Sequence, residues 1–128
     1  MNEKSFFKCE KCGNIVQLLW DSGGELVCCG QPMTKLVPDT VEASHEKHIP
    51  VCEKNGNTLK VQVGEQLHPM TPDHWIQWVA VEEPNFTQSY FLYPGDEPIV
   101  EFEVKGDDYK VYAYCNIHGL WVNDSQSK

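Results

Sequence analysis

The sequence predicts an all-β chain: a small module closed by cysteines, followed by an immunoglobulin-like β-sandwich. Three observations carry that prediction. Cys9, Cys12, Cys28 and Cys29 crowd the first quarter, whereas His45, His48, His68, His74 and His118 all lie beyond residue 44. Seven short segments rich in β-branched and aromatic residues follow residue 48, each bounded by turn-forming residues. No window shows the 3.6-residue periodicity of a helix.

The first module reads as a knuckle, a hairpin and a second knuckle. Cys9-Glu10-Lys11-Cys12-Gly13 places two thiols two residues apart, with a glycine that lets the backbone turn tightly. Residues 15–20 are expected as a strand, Asp21-Ser22-Gly23-Gly24 as its turn and 25–28 as the returning strand. Cys28-Cys29-Gly30 then closes the module. So small a unit buries little apolar surface, and a bound metal is the usual substitute for a core. The polar, proline-marked stretch Val37-Pro38-Asp39-Thr40 sets the expected boundary, giving domains 1–37 and 38–128.

In the second module strands are expected at 49–54, 58–63, 75–81, 86–93, 99–104, 109–114 and 120–122. Asn55-Gly56-Asn57, Glu83-Pro84-Asn85, Pro94-Gly95-Asp96 and Gly106-Asp107-Asp108 supply turns between them. Val100, Phe102 and Val104 alternate with Glu101 and Glu103, the period-2 pattern of a strand with one buried face.

Composition excludes several classes of function. A formal net charge of -9 over 128 residues argues against a nucleic-acid or anionic-membrane partner, because phosphate contacts need clustered Lys and Arg. A local positive group can still attract a small anion at short range. No stretch approaches the ~18 apolar residues of a membrane helix. The first eight residues carry no apolar core of a signal peptide, so a cytoplasmic, reducing location is expected. Thiols there serve more often as metal ligands than in disulfides.

The four early cysteines can hold one ion tetrahedrally. Neighbouring side chains on an extended backbone point to opposite sides, so Cys28 and Cys29 require a twisted backbone, with Gly30 absorbing part of the strain. Four sulfurs suit zinc or iron; structural zinc is the commoner occupant of such sites, and spacing does not choose. The second candidate set is looser in sequence. His68-Pro69-Met70-Thr71-Pro72-Asp73-His74 is a proline-stiffened loop with a histidine at each end, Cys115-Asn116-Ile117-His118-Gly119 pairs a thiol with an imidazole in one turn, and His48 stands before Ile49-Pro50. Loops at one end of a sandwich cluster in space, so these residues can converge. Four histidines and one cysteine leave one octahedral position open to a substrate, an arrangement suited to an iron catalyst. A blue-copper carrier would want a methionine after the cysteine, and none follows Cys115. Two further readings stand beside the catalyst: an iron or copper electron-transfer protein without turnover, and a zinc ribbon fused to a binding sandwich. His45 reads as a surface residue and Cys52 as a small mid-strand hydrophobe.

The motifs together resemble a known family. Cys9, Cys12 and Cys28-Cys29-Gly30-Gln31-Pro32-Met33 are similar to desulforedoxin and to the amino-terminal domain of the desulfoferrodoxins. Glu46-Lys47-His48-Ile49-Pro50, His68-Pro69-Met70, His74 and Cys115-Asn116-Ile117-His118-Gly119 are similar to the catalytic domain of these superoxide reductases. The resemblance implies a rubredoxin- or desulforedoxin-like module ahead of the sandwich, two mononuclear irons and a homodimer; calcium is left unassigned. It implies His48, His68, His74 and His118 as equatorial ligands and Cys115 as axial thiolate, with Cys9, Cys12, Cys28 and Cys29 around the other iron. It further implies Lys47 as the group that attracts superoxide, and Glu46 as the carboxylate that closes on the ferric iron after turnover. The implied activity is one-electron reduction of superoxide to hydrogen peroxide in oxidative-stress defence, with rubredoxin as donor.

Overall fold

A computed structural model describes residues 5–39 and 45–126. The chain forms two compact units, 1–37 and 38–128.

In the first unit, β1 (Ser5–Lys8) and β2 (Ile15–Leu18) pair antiparallel, from Ser5 opposite Leu18 to Lys8 opposite Ile15. The first knuckle is the reverse turn between them. The Gly13 N–H donates to the Cys9 carbonyl and the Cys9 N–H to that of Asn14, both at 2.8 Å. β3 (Val27–Cys28) and β4 (Gln31–Pro32) form a separate two-stranded ribbon, and β5 (Thr34–Lys35) lies on the other side of β1. The expected hairpin of 15–20 with 25–28 is therefore corrected: β2 pairs with β1, and β3 with β4. Two causes are visible. The knuckle itself folds 5–8 back onto 15–18, and the Asp21 carboxylate satisfies the Gly23 N–H at 2.8 Å in a local turn that joins no strands. The segment after β2 also has no face to bury, with Leu19 60% and Trp20 70% exposed.

The second unit begins with a single helical turn, α1 (His45–His48), closed by the Ile49 N–H donating to the His45 carbonyl at 3.0 Å. Four residues are too few to show periodicity, which is why no helix was expected there. Seven strands follow: β6 (Pro50–Asn55), β7 (Thr58–Val63), β8 (Ile76–Glu83), β9 (Phe86–Phe91), β10 (Ile99–Glu103), β11 (Lys110–Cys115) and β12 (Gly119–Asp124). Their ends lie within two residues of the expected ones. They form a three-stranded sheet in the order β10-β7-β6 and a four-stranded sheet in the order β12-β11-β8-β9, an immunoglobulin-like sandwich. Gly56, at φ 64, occupies the first central position of the β6–β7 turn, as a type II′ hairpin requires.

The sandwich interior is built from alternate residues. Leu59, Val61 and Val63 of β7 and Val100 and Phe102 of β10 face Val79, Val81, Val111, Ala113 and Cys115 of the other sheet. Each such aliphatic side chain contributes about 1.5–3 kcal/mol on burial. One irregularity falls where β8 begins and β11 ends. Tyr114 lies opposite Trp78 but Cys115 lies opposite Ile76, so the register skips Gln77. That bulge switches the alternation, and Ile76 joins the same core as Val79 and Val81 although an odd number of positions separates it from each. Antiparallel topology also brings the end of β7, the start of β8, the end of β11 and the starts of β6 and β12 to one edge of the sandwich.

Candidate metal centres

The first centre hangs on two turns. Cys9 and Cys12 flank the β1–β2 reversal, and Cys28 and Cys29 belong to the β3–β4 ribbon. In that ribbon Cys29 (φ 53) and Gly30 (φ 77) both have positive φ, the signature of a type I′ turn. Gly30 was expected to absorb the strain of adjacent ligands, and Cys29 itself shares it. Its left-handed conformation costs an L residue about 1–2 kcal/mol. The sulfurs of Cys12 and Cys28 are 3.6 Å apart and those of Cys28 and Cys29 4.0 Å. Bonds of ~2.3 Å to a tetrahedral ion give sulfur–sulfur edges of about 3.8 Å. All four sulfurs lie within 4.8 Å of one another.

The bare thiols ask for a cation. The Cys12 backbone N–H pulls Cys9 down to about 6, and it lies 3.5 Å from that sulfur. Sharing of hydrogen bonds with Cys12 raises Cys28 and pushes Cys29 up to about 12. One negative charge is thus favoured locally and further ones are resisted, until a metal ion compensates them.

The second centre sits at the edge where strand ends meet. α1 supplies His48, and the loop after β7 holds this turn: the Gln66 N–H donates to the Glu46 carbonyl at 3.0 Å and the Gly64 N–H to that of Ile49 at 3.1 Å. Gly64 has φ +85, and a Cβ there would meet the Lys47 carbonyl at 2.6 Å. Only glycine permits this approach. His68 follows in the same loop, and its Nδ1–H donates to the Pro69 carbonyl at 2.7 Å, which leaves Nε2 as the free lone pair. His74 closes a tight turn with Thr71, their backbones exchanging bonds of 3.0 and 3.1 Å around Pro72-Asp73. Cys115 ends β11 and His118 is the last residue of the turn into β12.

These side chains converge. His48 Nε2 lies 3.2 Å from His68 Nε2 and 3.1 Å from His118 Nδ1. Two nitrogens bound at right angles by bonds of ~2.1 Å stand about 3.0 Å apart. The ligand atoms of His48, His68, His74 and Cys115 all lie within 4.8 Å of one another, and His118 Nδ1 lies 3.9 Å from Cys115 Sγ. His74 Nε2 is buried without a hydrogen-bond partner among the described residues. A buried nitrogen left in this way costs about 1–3 kcal/mol, and a cation removes that cost.

Burial prepares the set. It holds His68 down to about 4 and lowers His74, whose shift is also fed by His118 and by the Lys47 ammonium. Burial thus favours the neutral, metal-binding form of these two imidazoles. Burial pushes the Cys115 thiol up, against backbone N–H groups of His118 and Ile117 that favour the thiolate. The His118 N–H lies 3.4 Å from that sulfur. Lys47 and Glu46 share the α1 turn with His48; Lys47 acts electrostatically on His74, whereas Glu46 lines an open cavity of about 300 Å³ with His45, Ile49, Val51 and Glu65. Glu46 is thus beside the ligand set and not within it.

Three contributors escaped the sequence reading. Trp121, fully buried, stacks under His48 at 4.9 Å and donates its indole N–H to the His118 carbonyl at 3.1 Å. Gly64 acts through its backbone, and Asn116 through side-chain bonds to the backbone on either side of His74. Asn116 stood within the quoted motif, but nothing in a linear motif shows a bond made 41 residues away. His45 is exposed and meets the Trp121 ring edge-on at 5.2 Å, and Cys52 is half-buried against the core.

An all-β chain with one tetrahedral four-thiol site and one histidine-rich, single-thiolate site is a two-centre non-haem metalloprotein. Its residues 1–36 match the model of the desulfoferrodoxin N-terminal domain, and residues 40–124 match that of desulfoferrodoxin itself. The chain belongs to the desulfoferrodoxin family. It is 45% identical over 120 residues to desulfoferrodoxin of Nitratidesulfovibrio vulgaris, covering 94% of this chain and 95% of that one. With the desulfoferrodoxin homolog of Archaeoglobus fulgidus it shares 47% over 115 residues, 90% of this chain and 92% of the other. The crystal structure of the superoxide reductase from Treponema pallidum superposes with a TM-score of 0.77 at 33% identity, over 96% of this chain and all of that one. The four-thiol and histidine–thiolate sets match the two-iron arrangement of the family, and iron is the metal of both.

Proposed function

We propose that the chain is a superoxide reductase, converting superoxide to hydrogen peroxide at the histidine–cysteine centre. The observation that carries this reading is the convergence of four imidazoles and one buried thiol at one end of the sandwich. Ferrous iron held there would supply one electron to superoxide, with two protons completing hydrogen peroxide. The protein's part would be to hold His48, His68, His74, His118 and Cys115 around the ion and to leave one position open. Lys47, which acts electrostatically on His74, would place a cation near the ion in a chain of net charge -9 and so raise the local concentration of an anionic substrate. Glu46, on the same turn, is the carboxylate that would close over the open position.

Residues 1–37 would hold the four-cysteine iron and 38–128 the catalytic iron. A homodimer is supported by the apolar surface that the small unit leaves exposed at Val16, Leu19 and Trp20. Six free thiols favour a reducing, cytoplasmic setting. Rubredoxin as electron donor rests on the family resemblance.

The test is to add superoxide anaerobically to the ferrous holoenzyme. One hydrogen peroxide formed and one centre oxidised per superoxide, without dioxygen, supports the proposal. Half that peroxide with dioxygen evolved would mean dismutation, and an iron left ferrous would remove the activity altogether.

A further inference from the structure

We infer that Asn116 is the positioning residue for His74, locking this ligand's turn onto the loop that carries Cys115 and His118. The inference rests on the reading of these side chains as ligands of one ion. Three hydrogen bonds make the case. The Asn116 Oδ1 accepts the Trp75 backbone N–H at 2.9 Å, its Nδ2 donates to the Asp73 carbonyl at 3.0 Å, and its own backbone N–H donates to the Trp75 carbonyl at 3.2 Å. The side chain thus grips the residue on either side of His74.

A carboxamide suits this task because it carries an acceptor and a donor on one short, planar head. The orientation of the amide is dictated, since its oxygen faces an N–H and its nitrogen a carbonyl. Aspartate has the same shape but no donor, and its second oxygen would face the Asp73 carbonyl. The backbone bonds of His74 itself run to Thr71, within its own turn. Thr71 shapes that turn internally; Asn116 ties it to the Cys115–His118 loop. The imidazole of His74 is also the one whose Nε2 is buried and unpartnered among the described residues, so its ring depends on backbone placement to reach the ion.

The test uses the full chain, stripped of metal, with Co²⁺ alone as probe. Four imidazole ligands give four paramagnetically shifted N–H resonances, and thiolates at the other site give none. Asn116→Asp should lose the His74 resonance, approach the spectrum of His74→Ala, and bind Co²⁺ at this site about 10–100-fold more weakly, the usual effect of removing a group that orients a ligand. Asn116→Ala is the second variant, for the case that aspartate prevents folding, and should show the same loss. Far-ultraviolet dichroism and the four-thiolate bands report folding in each. Either variant, folded, with four resonances and an affinity within twofold of the parent overturns the inference, even if its melting temperature falls. A parent chain that lacks the four resonances would instead overturn the reading of the site.

Discussion

The ligands of the four-thiol centre all come from residues 9–29, and Cys12 and Cys29 are exposed. Those of the histidine–thiolate centre are drawn from residues 48–118, and His48, His68 and Cys115 are at most 3% exposed. The first set is held by two turns in a unit where, among the described residues, Phe6 and Cys9 are the buried apolar ones. The second rests on a core that, among the described residues, holds thirteen buried side chains, Cys115 one of them. Where the core is thin, the ion organises the chain; where the core is thick, the chain organises the ion.

Metal removal should break this comparison most visibly. Structural ions in small modules contribute about 10–16 kcal/mol to folding. Chelation of both irons should therefore abolish amide-exchange protection in β1 to β5 while β7, β8 and β11 keep theirs. Equal loss in both units would show that the sandwich also needs its ion.

Next in size is Gly64→Ala, which adds a Cβ at 2.6 Å from the Lys47 carbonyl in a left-handed backbone. Strain of about 1–3 kcal/mol is expected from the conformation alone. Denaturant unfolding should register it in the second unit, together with weaker metal retention there. An unchanged midpoint would mean that the α1 turn yields easily.

Lys47→Ala should leave both irons in place and slow the second-order reaction with superoxide by roughly tenfold, the lower end of electrostatic steering. The salt dependence of that rate should flatten as well. A parent-like rate and slope would remove Lys47 from the steering role.

Smallest in reach is Cys29→Ser. It should shift the sulfur-to-iron bands of the first centre and lower its iron content, while the iron content and bands of the second stay as in the parent. A change at both centres would show that the two are coupled.

Much of this contrast was legible in the sequence. Seven sandwich strands could be read from alternation such as Val100-Glu101-Phe102-Glu103-Val104, because burial of one face imposes that pattern. The segregation of cysteines from histidines announced two centres. In the small unit the same reasoning failed: Asp21-Ser22-Gly23-Gly24 looked like a hairpin turn, but pairing there follows the thiols, and β1 lies beside β2 because Cys9 to Gly13 reverses the chain. Trp121 beneath His48 and Asn116 beside His74 could not be read either, since each acts between segments far apart in sequence.

The left-handed backbone at Cys29 carries a consequence for how the first centre comes apart. An L residue at φ 53 gains by relaxing, and an exposed sulfur meets competing reagents first. Cys9, 1% exposed and held through its neighbours' backbone N–H groups, has neither incentive nor opportunity. Dismantling should thus proceed in a fixed sequence, with position 29 letting go early and position 9 late. During slow chelation, the nuclear-resonance signals of a metal-free Cys29 side chain should appear well ahead of those of Cys9, a lifetime for each bond written into a single torsion angle.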